Sequence, residues 1–292
     1  MHSLFQDKIR SGSFVITAEI TPPKGTDTTK AIENADMLRG CVDALNITDN
    51  NRAVMRMSPV ALGAILQERG HEVIVQMTCR DRNRLALQSE LLGACALGIG
   101  NICVMTGDHV KSGDHQGAKS VYDLDSVQLL SMIRKMMNGS DLYGNPLESA
   151  PEFMVGAVSN IDPGQAMQML KFKKKIIEGA DFIQTQAVYD SDLFEGFMEY
   201  AREFKVPVIA GIIPLKSAKM ARFMNENVPG IQIGEDLIER MEQARDPVNE
   251  GLEISCEIIS RIRPICQGIH LMPIGQHLNT QRLLEMAGFS KQ

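Results

Sequence analysis

Short runs of β-branched and apolar residues alternate with longer amphipathic runs eight times along the chain, and polar residues gather where the short runs end. Phe14 to Ile20 (FVITAEI) reads as the first strand, stopped by Thr21-Pro22-Pro23-Lys24-Gly25, where two prolines and a glycine prevent further pairing. Further strands are predicted at Val42 to Thr48, Glu72 to Thr78, Asn101 to Thr106, Phe153 to Val158, Asp181 to Gln186, Pro207 to Ile213 and Gly268 to Met272. Helical spacing fills the intervals: Thr26 to Leu38, a helix capped by Ser58-Pro59 and closed by Gly70, Asn83 to Leu97, Leu124 to Met137, Pro163 to Glu178 and Ser191 to Phe204. Three helices at about Ser217 to Asn225, Glu235 to Ala244 and Val248 to Arg263 precede the last strand, and Gln276 to Ala287 closes the chain. One polar loop, Gly107 to Val121, is long enough to suggest function or disorder.

Eight parallel strands with helical crossovers fit a (β/α)8 TIM barrel or a doubly wound open sheet, since periodicity does not show closure. The barrel is favoured because ~250 residues plus insertions is its usual size. No linker or sequence repeat divides the 292 residues, so residues 1–292 read as one barrel domain. A barrel gathers the strand ends on one face, where Glu19, Asp49, Thr78, Asp108 and Gln186 would share a pocket.

Composition narrows the function. At 44% hydrophobic and 23% charged the chain buries a full core, and a net charge of −6 gives no general attraction to nucleic acid or anionic lipid. Six scattered cysteines without a C-x-x-C pair, and a start (Met1 to Gly12) unlike a leader or anchor, point to reduced thiols in the cytoplasm. No apolar stretch reaches the length of a spanning helix. Walker, G-x-G-x-x-G, G-x-S-x-G and H-E-x-x-H patterns are absent, which weighs against nucleotide hydrolysis, Rossmann hydride transfer and serine or zinc hydrolysis.

Several residues carry candidate chemistry. Glu19, next to last in a buried strand, is placed either as a general acid kept protonated by desolvation or as a rim carboxylate paired with a lysine such as Lys24. Asp108 follows strand four behind Gly107, either to stabilise a cation on a substrate or as a turn aspartate bonded within its own loop. His109 and His115, beside Asp108 and Asp114, are too few and too loosely spaced for a usual zinc site, and no metal is expected. Gln186 offers a primary amide to the edge of a heterocycle or simply faces water. Lys171, Lys173, Lys174 and Lys175 form a solvated face or supply one lysine to a phosphate.

Taken together, Ala18-Glu19-Ile20-Thr21-Pro22-Pro23, Asn46-Ile47-Thr48-Asp49, Gln76-Met77-Thr78-Cys79, Thr106-Gly107-Asp108, Tyr122-Asp123 and Thr185-Gln186 resemble the methylenetetrahydrofolate reductase family, from Phe14 to Gly288. The resemblance implies a flavin-bearing barrel that reduces 5,10-methylenetetrahydrofolate to 5-methyltetrahydrofolate by hydride transfer from reduced flavin. It implies Glu19 as general acid, Asp108 as the carboxylate near pterin and flavin, and Gln186 as a pterin-binding residue. Thr48, Thr78, Thr106, Gly107, Asp108, Tyr122 and Lys175 fall at its flavin-contact positions, Tyr122 toward the adenosine end and Lys175 toward phosphate.

Gln76, Thr106, Val158 and Gln168 replace a histidine, an arginine, a tyrosine and an aspartate of better-known bacterial members, which leaves FAD or FMN open as the flavin. The ending Gly-Ile-His-Leu-Met-Pro-Ile-Gly is similar to the short reductases of anaerobes, some of which work with a second, metal-containing subunit. NAD(P)H or a redox partner protein is then the electron donor. The competing readings are a flavin-independent pterin-binding methyltransferase barrel and a barrel subunit of an electron-transfer complex.

Overall fold

Each predicted strand run forms a strand in the computed structural model, which describes residues 3–228, 230–275 and 277–289. The strands are β1 (Val15–Ile20), β2 (Ala44–Ile47), β3 (Val73–Thr78), β4 (Asn101–Met105), β5 (Met154–Ser159), β6 (Phe182–Ala187), β7 (Val208–Ile212) and β8 (Gly268–Leu271). Every neighbour pair is parallel and β1 also pairs with β8, so the sheet closes into a barrel and the open-sheet alternative is excluded.

The crossovers are α2 (Thr29–Met37), α3 (Pro59–Glu68), α4 (Arg84–Ala96), α5 (Ser126–Met137), α6 (Ala166–Ile177), α7 (Ser191–Arg202), α8 (Ala218–Asn227), α9 (Glu235–Gln243) and α10 (Pro247–Ile262). The last helix, α11, runs His277–Met286, and its expected first residue, Gln276, lies outside the described residues. Two helices start three residues later than the spacing predicts, because aspartates first close turns: Thr29 N donates to Asp27 Oδ1 at 2.9 Å, and Gly164 N to Asp162 Oδ1 at 2.9 Å. No helix among the described residues is long and apolar enough to cross a membrane.

One helix was not anticipated. Residues Leu4–Ser11 form α1, whose Ser3 cap accepts from Gln6 N at 3.2 Å and which ends on left-handed Gly12. Its apolar residues Phe5 and Ile9 pack inside the floor of the barrel with Val15, Ala44, Ile74, Cys103, Met154, Phe182 and Ile209. Lys8 Nζ holds the plug to Asp43 at 2.6 Å, and the Phe5 ring meets Phe182 edge-on at 5.5 Å. Gly156 leaves room for that ring, since a Cβ there would lie 2.3 Å from Phe182. With the floor sealed, the lumen opens only toward the carboxyl ends of the strands, where barrel enzymes carry their chemistry.

Phe5 is fully buried, so Phe5→Ala should lower unfolding free energy by about 3–5 kcal/mol in denaturant titrations. A change below about 1 kcal/mol would mean that the plug does not seal the core.

Candidate active site

Above the apolar floor the inward positions of the strands are polar. Thr17, Asn46, Gln76, Gln184 and His270 are all buried, so their polar atoms need partners. Asn46 Nδ2 donates to Gln184 Oε1 at 2.8 Å, and Gln184 Nε2 returns a bond to Asn46 Oδ1 at 3.3 Å, joining β2 to β6 across the lumen. The Cys103 thiol donates to the same Gln184 oxygen at 3.4 Å. Burial pushes that thiol up to about 12, so it stays a neutral donor.

Glu19 stands at the top of this layer. Gln76 Nε2 donates to its Oε1 at 3.3 Å, and His270 Nε2 lies 3.7 Å from the same oxygen. Its side chain is 22% exposed, enough for one edge to face the mouth. Lys24 is not its partner. That lysine instead pairs with Asp114, which ties the loop after β1 to the loop after β4.

Asp49, just beyond β2, is buried and fully used: it accepts from Thr78 N at 2.8 Å and Thr78 Oγ1 at 2.9 Å, and from Arg82 at 2.7 and 3.2 Å. Asp49 therefore anchors the end of β3, and the Thr78 hydroxyl is turned into that anchor. The neighbouring Thr48 differs, because its Oγ1 is buried without a hydrogen-bond partner among the described residues. Such an orphan at a strand end suits a group that arrives from outside.

The loop after β4, which includes a short 3-10 turn at Val110–Ser112, carries the Gly-Asp pair. Gly107 has φ of 90°, and a Cβ there would meet the Thr78 side chain at 3.1 Å, so only glycine fits the turn. The Tyr122 hydroxyl donates to Gly107 O at 3.3 Å and Asp108 O at 3.0 Å, and Arg80, buried against Asp81, reaches Asp108 O at 3.4 Å. Burial raises the Tyr122 hydroxyl above its usual range, which keeps it a donor. These bonds hold the Asp108 backbone while its exposed carboxylate makes no hydrogen bond or ion pair among the described residues. The reading of Asp108 as a turn aspartate bonded in its own loop does not fit that geometry.

The remaining candidates are placed less directly. Thr106 Oγ1 donates to Ser126 at 3.3 Å, and the Gln186 side chain, half-buried at the end of β6, makes no hydrogen bond among the described residues. Lys175 Nζ, from α6, donates to Val158 O at 2.6 Å near the end of β5, and burial followed by Lys171 lowers it to about 8. Lys171, Lys173 and Lys174 are exposed. His109 Nδ1 accepts from Lys111 N at 3.2 Å and His115 pairs with Asp114, and the described residues hold no group of His, Cys, Asp and Glu that could bind a metal. A separate concavity lined by Cys256, Arg263 and Met286 lies on the outer helices, remote from the strand ends.

Thr17, Arg80, Arg82 and His270 were not picked out from the sequence. Period-two alternation from Gly268 would have turned His270 inward, and that signal was available. The two arginines act through loop conformation, which spacing does not encode.

Fold and site together define a (β/α)8 barrel with a carboxylate-bearing polar mouth, the arrangement of a barrel enzyme. The sequence model of the methylenetetrahydrofolate reductase family matches residues 4–288, and the chain belongs to that family. It is 25% identical to methylenetetrahydrofolate reductase 2 of Schizosaccharomyces pombe over 288 residues, covering 90% of this chain and 43% of that protein. It is 23% identical to a probable methylenetetrahydrofolate reductase (NADPH) of Caenorhabditis elegans, covering 76% of this chain and 33% of that one. The chain thus spans less than half the length of these curated relatives. A Clostridium thermocellum protein described as binding two copies of 5-methyl-5,6,7,8-tetrahydrofolic acid shares the fold, with a TM-score of 0.68, 18% identity and 98% coverage of both chains.

Replacing Arg82 with alanine would leave Asp49 buried without its counter-ion, which should cost about 3–5 kcal/mol in denaturant titrations. A loss under about 1 kcal/mol would show that the two Thr78 hydrogen bonds suffice for Asp49 without a counter-ion. Lys175 should titrate near pH 8 in NMR spectra of its side-chain carbons, whereas an unfolded lysine titrates near 10.5. The folded state therefore bears a penalty for the charged amine below pH 8, and that penalty fades as pH rises toward 10.5. A midpoint at 10 or above would place the amine in water instead.

Proposed function

We propose that this chain reduces 5,10-methylenetetrahydrofolate to 5-methyltetrahydrofolate using a bound flavin, FAD or FMN, as one cytoplasmic barrel reductase domain. The observation that carries the reading is the pairing of a half-buried acid, Glu19, with a free carboxylate, Asp108, at the strand ends of one closed barrel. Family membership and the folate named for the structural neighbour support it.

When bound, the flavin supplies the hydride. The mouth suits such a group: the orphaned Thr48 hydroxyl awaits a partner, and glycine at position 107 lets a planar ligand approach the backbone. Thr48, Thr78, Thr106, Gly107, Asp108 and Tyr122 would hold it, with the Lys175 amine toward phosphate. Glu19 would give its proton to the substrate nitrogen that leaves the methylene carbon, opening the ring to a cation. Negative charge on Asp108 would stabilise that cation, and the free amide of Gln186 would bond the pterin edge. Electrons would come from NAD(P)H, the donor named for several relatives, or from a redox partner such as a second, metal-containing subunit.

Purified protein should show a flavin absorption spectrum that bleaches with reduced viologen and returns on adding 5,10-methylenetetrahydrofolate. A colourless chain that stays inactive after flavin reconstitution overturns the reading. Methyl transfer without redox change would select the flavin-independent methyltransferase, and dependence on a partner even with viologen would select an electron-transfer subunit. Within an active enzyme, Glu19→Gln should slow reoxidation by folate roughly 10²–10⁴-fold without removing the flavin spectrum. Asp108→Asn should slow it roughly 10²-fold. Normal reoxidation rates in either variant would remove that residue from the chemistry.

A further inference from the structure

His270 stands directly beside Thr17 in the β1–β8 pairing, and alternation puts both side chains in the lumen with Glu19 one step nearer the mouth. The imidazole is 3% exposed, so each of its nitrogens answers to the protein rather than to water. Its Nδ1 lies 2.8 Å from Thr17 Oγ1. Thr17 is wholly buried and its hydroxyl has no other partner among the described residues, so the hydroxyl donates to Nδ1. That assignment fixes the tautomer and leaves the ring hydrogen on Nε2, 3.7 Å from Glu19 Oε1. The distance is longer than a hydrogen bond but within direct electrostatic contact. Gln76 Nε2 donates to the same oxygen at 3.3 Å. Glu19 Oε2 has no partner among the described residues.

Two N–H groups therefore converge on one carboxylate oxygen. A carboxylic acid whose Oε1 receives donors keeps its own proton on Oε2. We propose that His270, oriented by Thr17 and seconded by Gln76, is a positioning residue that reserves Oε1 as acceptor, so that the exchangeable proton of Glu19 sits on Oε2 facing the mouth.

The catalytic consequence rests on the reductase reading above. In the acid step the Oε2–H bond breaks and an N–H bond forms at the substrate nitrogen. The bond from that nitrogen to the methylene carbon breaks with its electron pair returning to nitrogen, and the remaining ring nitrogen shares its lone pair with the carbon. Glu19 is left as a carboxylate, whose charge the two N–H groups stabilise at Oε1, and water restores its proton. The cation left on the methylene carbon would be the acceptor for the hydride that a bound flavin would supply.

Other titratable groups near Glu19 do not compete for this role. His277, at the start of α11, and Cys103, on β4, feel its charge. Burial and Lys30 hold His277 below its ordinary value, and burial raises Cys103 to about 12, so both are neutral at pH 7.

The test begins with the full ligand-free chain carrying ¹³C-carboxyl glutamate, so that it needs no turnover. Losing the N–H in His270→Leu should raise the midpoint of the Glu19 titration by about one pH unit. His270→Gln, which keeps an N–H of similar reach, should restore at least half of the shift. If His270→Leu does not fold, Thr17→Val frees the tautomer and should shift the midpoint in the same direction by a smaller amount. A midpoint that stays at the wild-type value in the folded variants overturns the proposal. In turnover with 5,10-methylenetetrahydrofolate, His270→Leu should lower kcat roughly 10- to 100-fold with KM within about twofold, and move the pH profile with it. An unchanged kcat and profile also overturns it. A wild-type chain without reductase activity would defeat the reading of function, while the carboxyl titration would still decide the placement of the proton.

Discussion

Closure of β1 on β8 is the constraint on which the other features depend. The pairing of Thr17 with His270 and of Ala18 with Leu271 turns a sheet with two edges into a cylinder with one open end. It also sets the depth of Glu19, because a one-residue slip would turn Glu19 outward among the helices and carry Ile20 into the lumen. The acid at the mouth is thus a result of strand register.

Polar residues inside a barrel destabilise it unless they satisfy one another, and here they do so in pairs that span strands. Asn46 meets Gln184, Thr17 meets His270, and Asp49 is closed by Thr78 and Arg82. Above them the loops interlock. Lys24 grips Asp114, and Gly113 sits so close to Ala53 that a Cβ would lie 1.8 Å from its carbonyl oxygen. Among the described residues, the Thr48 hydroxyl, the Asp108 carboxylate and the Gln186 amide are without hydrogen-bond partners at or beyond strand ends, and buried atoms of Arg56, Ser120 and His277 are also without partners.

Much of this was legible in the sequence because strand runs and helix caps are local signals. Phe14 to Ile20 with its prolines, or Ser58-Pro59 ahead of α3, needs only neighbouring residues to be read. The floor helix was missed because eight residues with Asp7, Lys8 and Arg10 offer only Phe5 and Ile9 as a buried face, and its stability comes from the barrel that it fills. Of the two readings of Glu19, the rim pair with Lys24 does not form, since Lys24 is only close in sequence while Gln76 and His270 approach through pairing and closure. Candidate residues could be named from their strand positions, but their partners belong to tertiary register and loop packing, which single-sequence patterns do not carry.

In the proposed site, Glu19, Asp108 and Gln186, distant along the chain, face one ligand at the open end of the barrel. A crystal structure of the protein soaked with 5-methyltetrahydrofolate tests this most directly. The expected result is a pterin held at the strand ends within hydrogen-bond reach of Gln186, with Glu19 and Asp108 on its border. A folate seated only on the outer helices, or three residues opening onto separate surfaces with no shared ligand, would show that Glu19, Asp108 and Gln186 do not form one site.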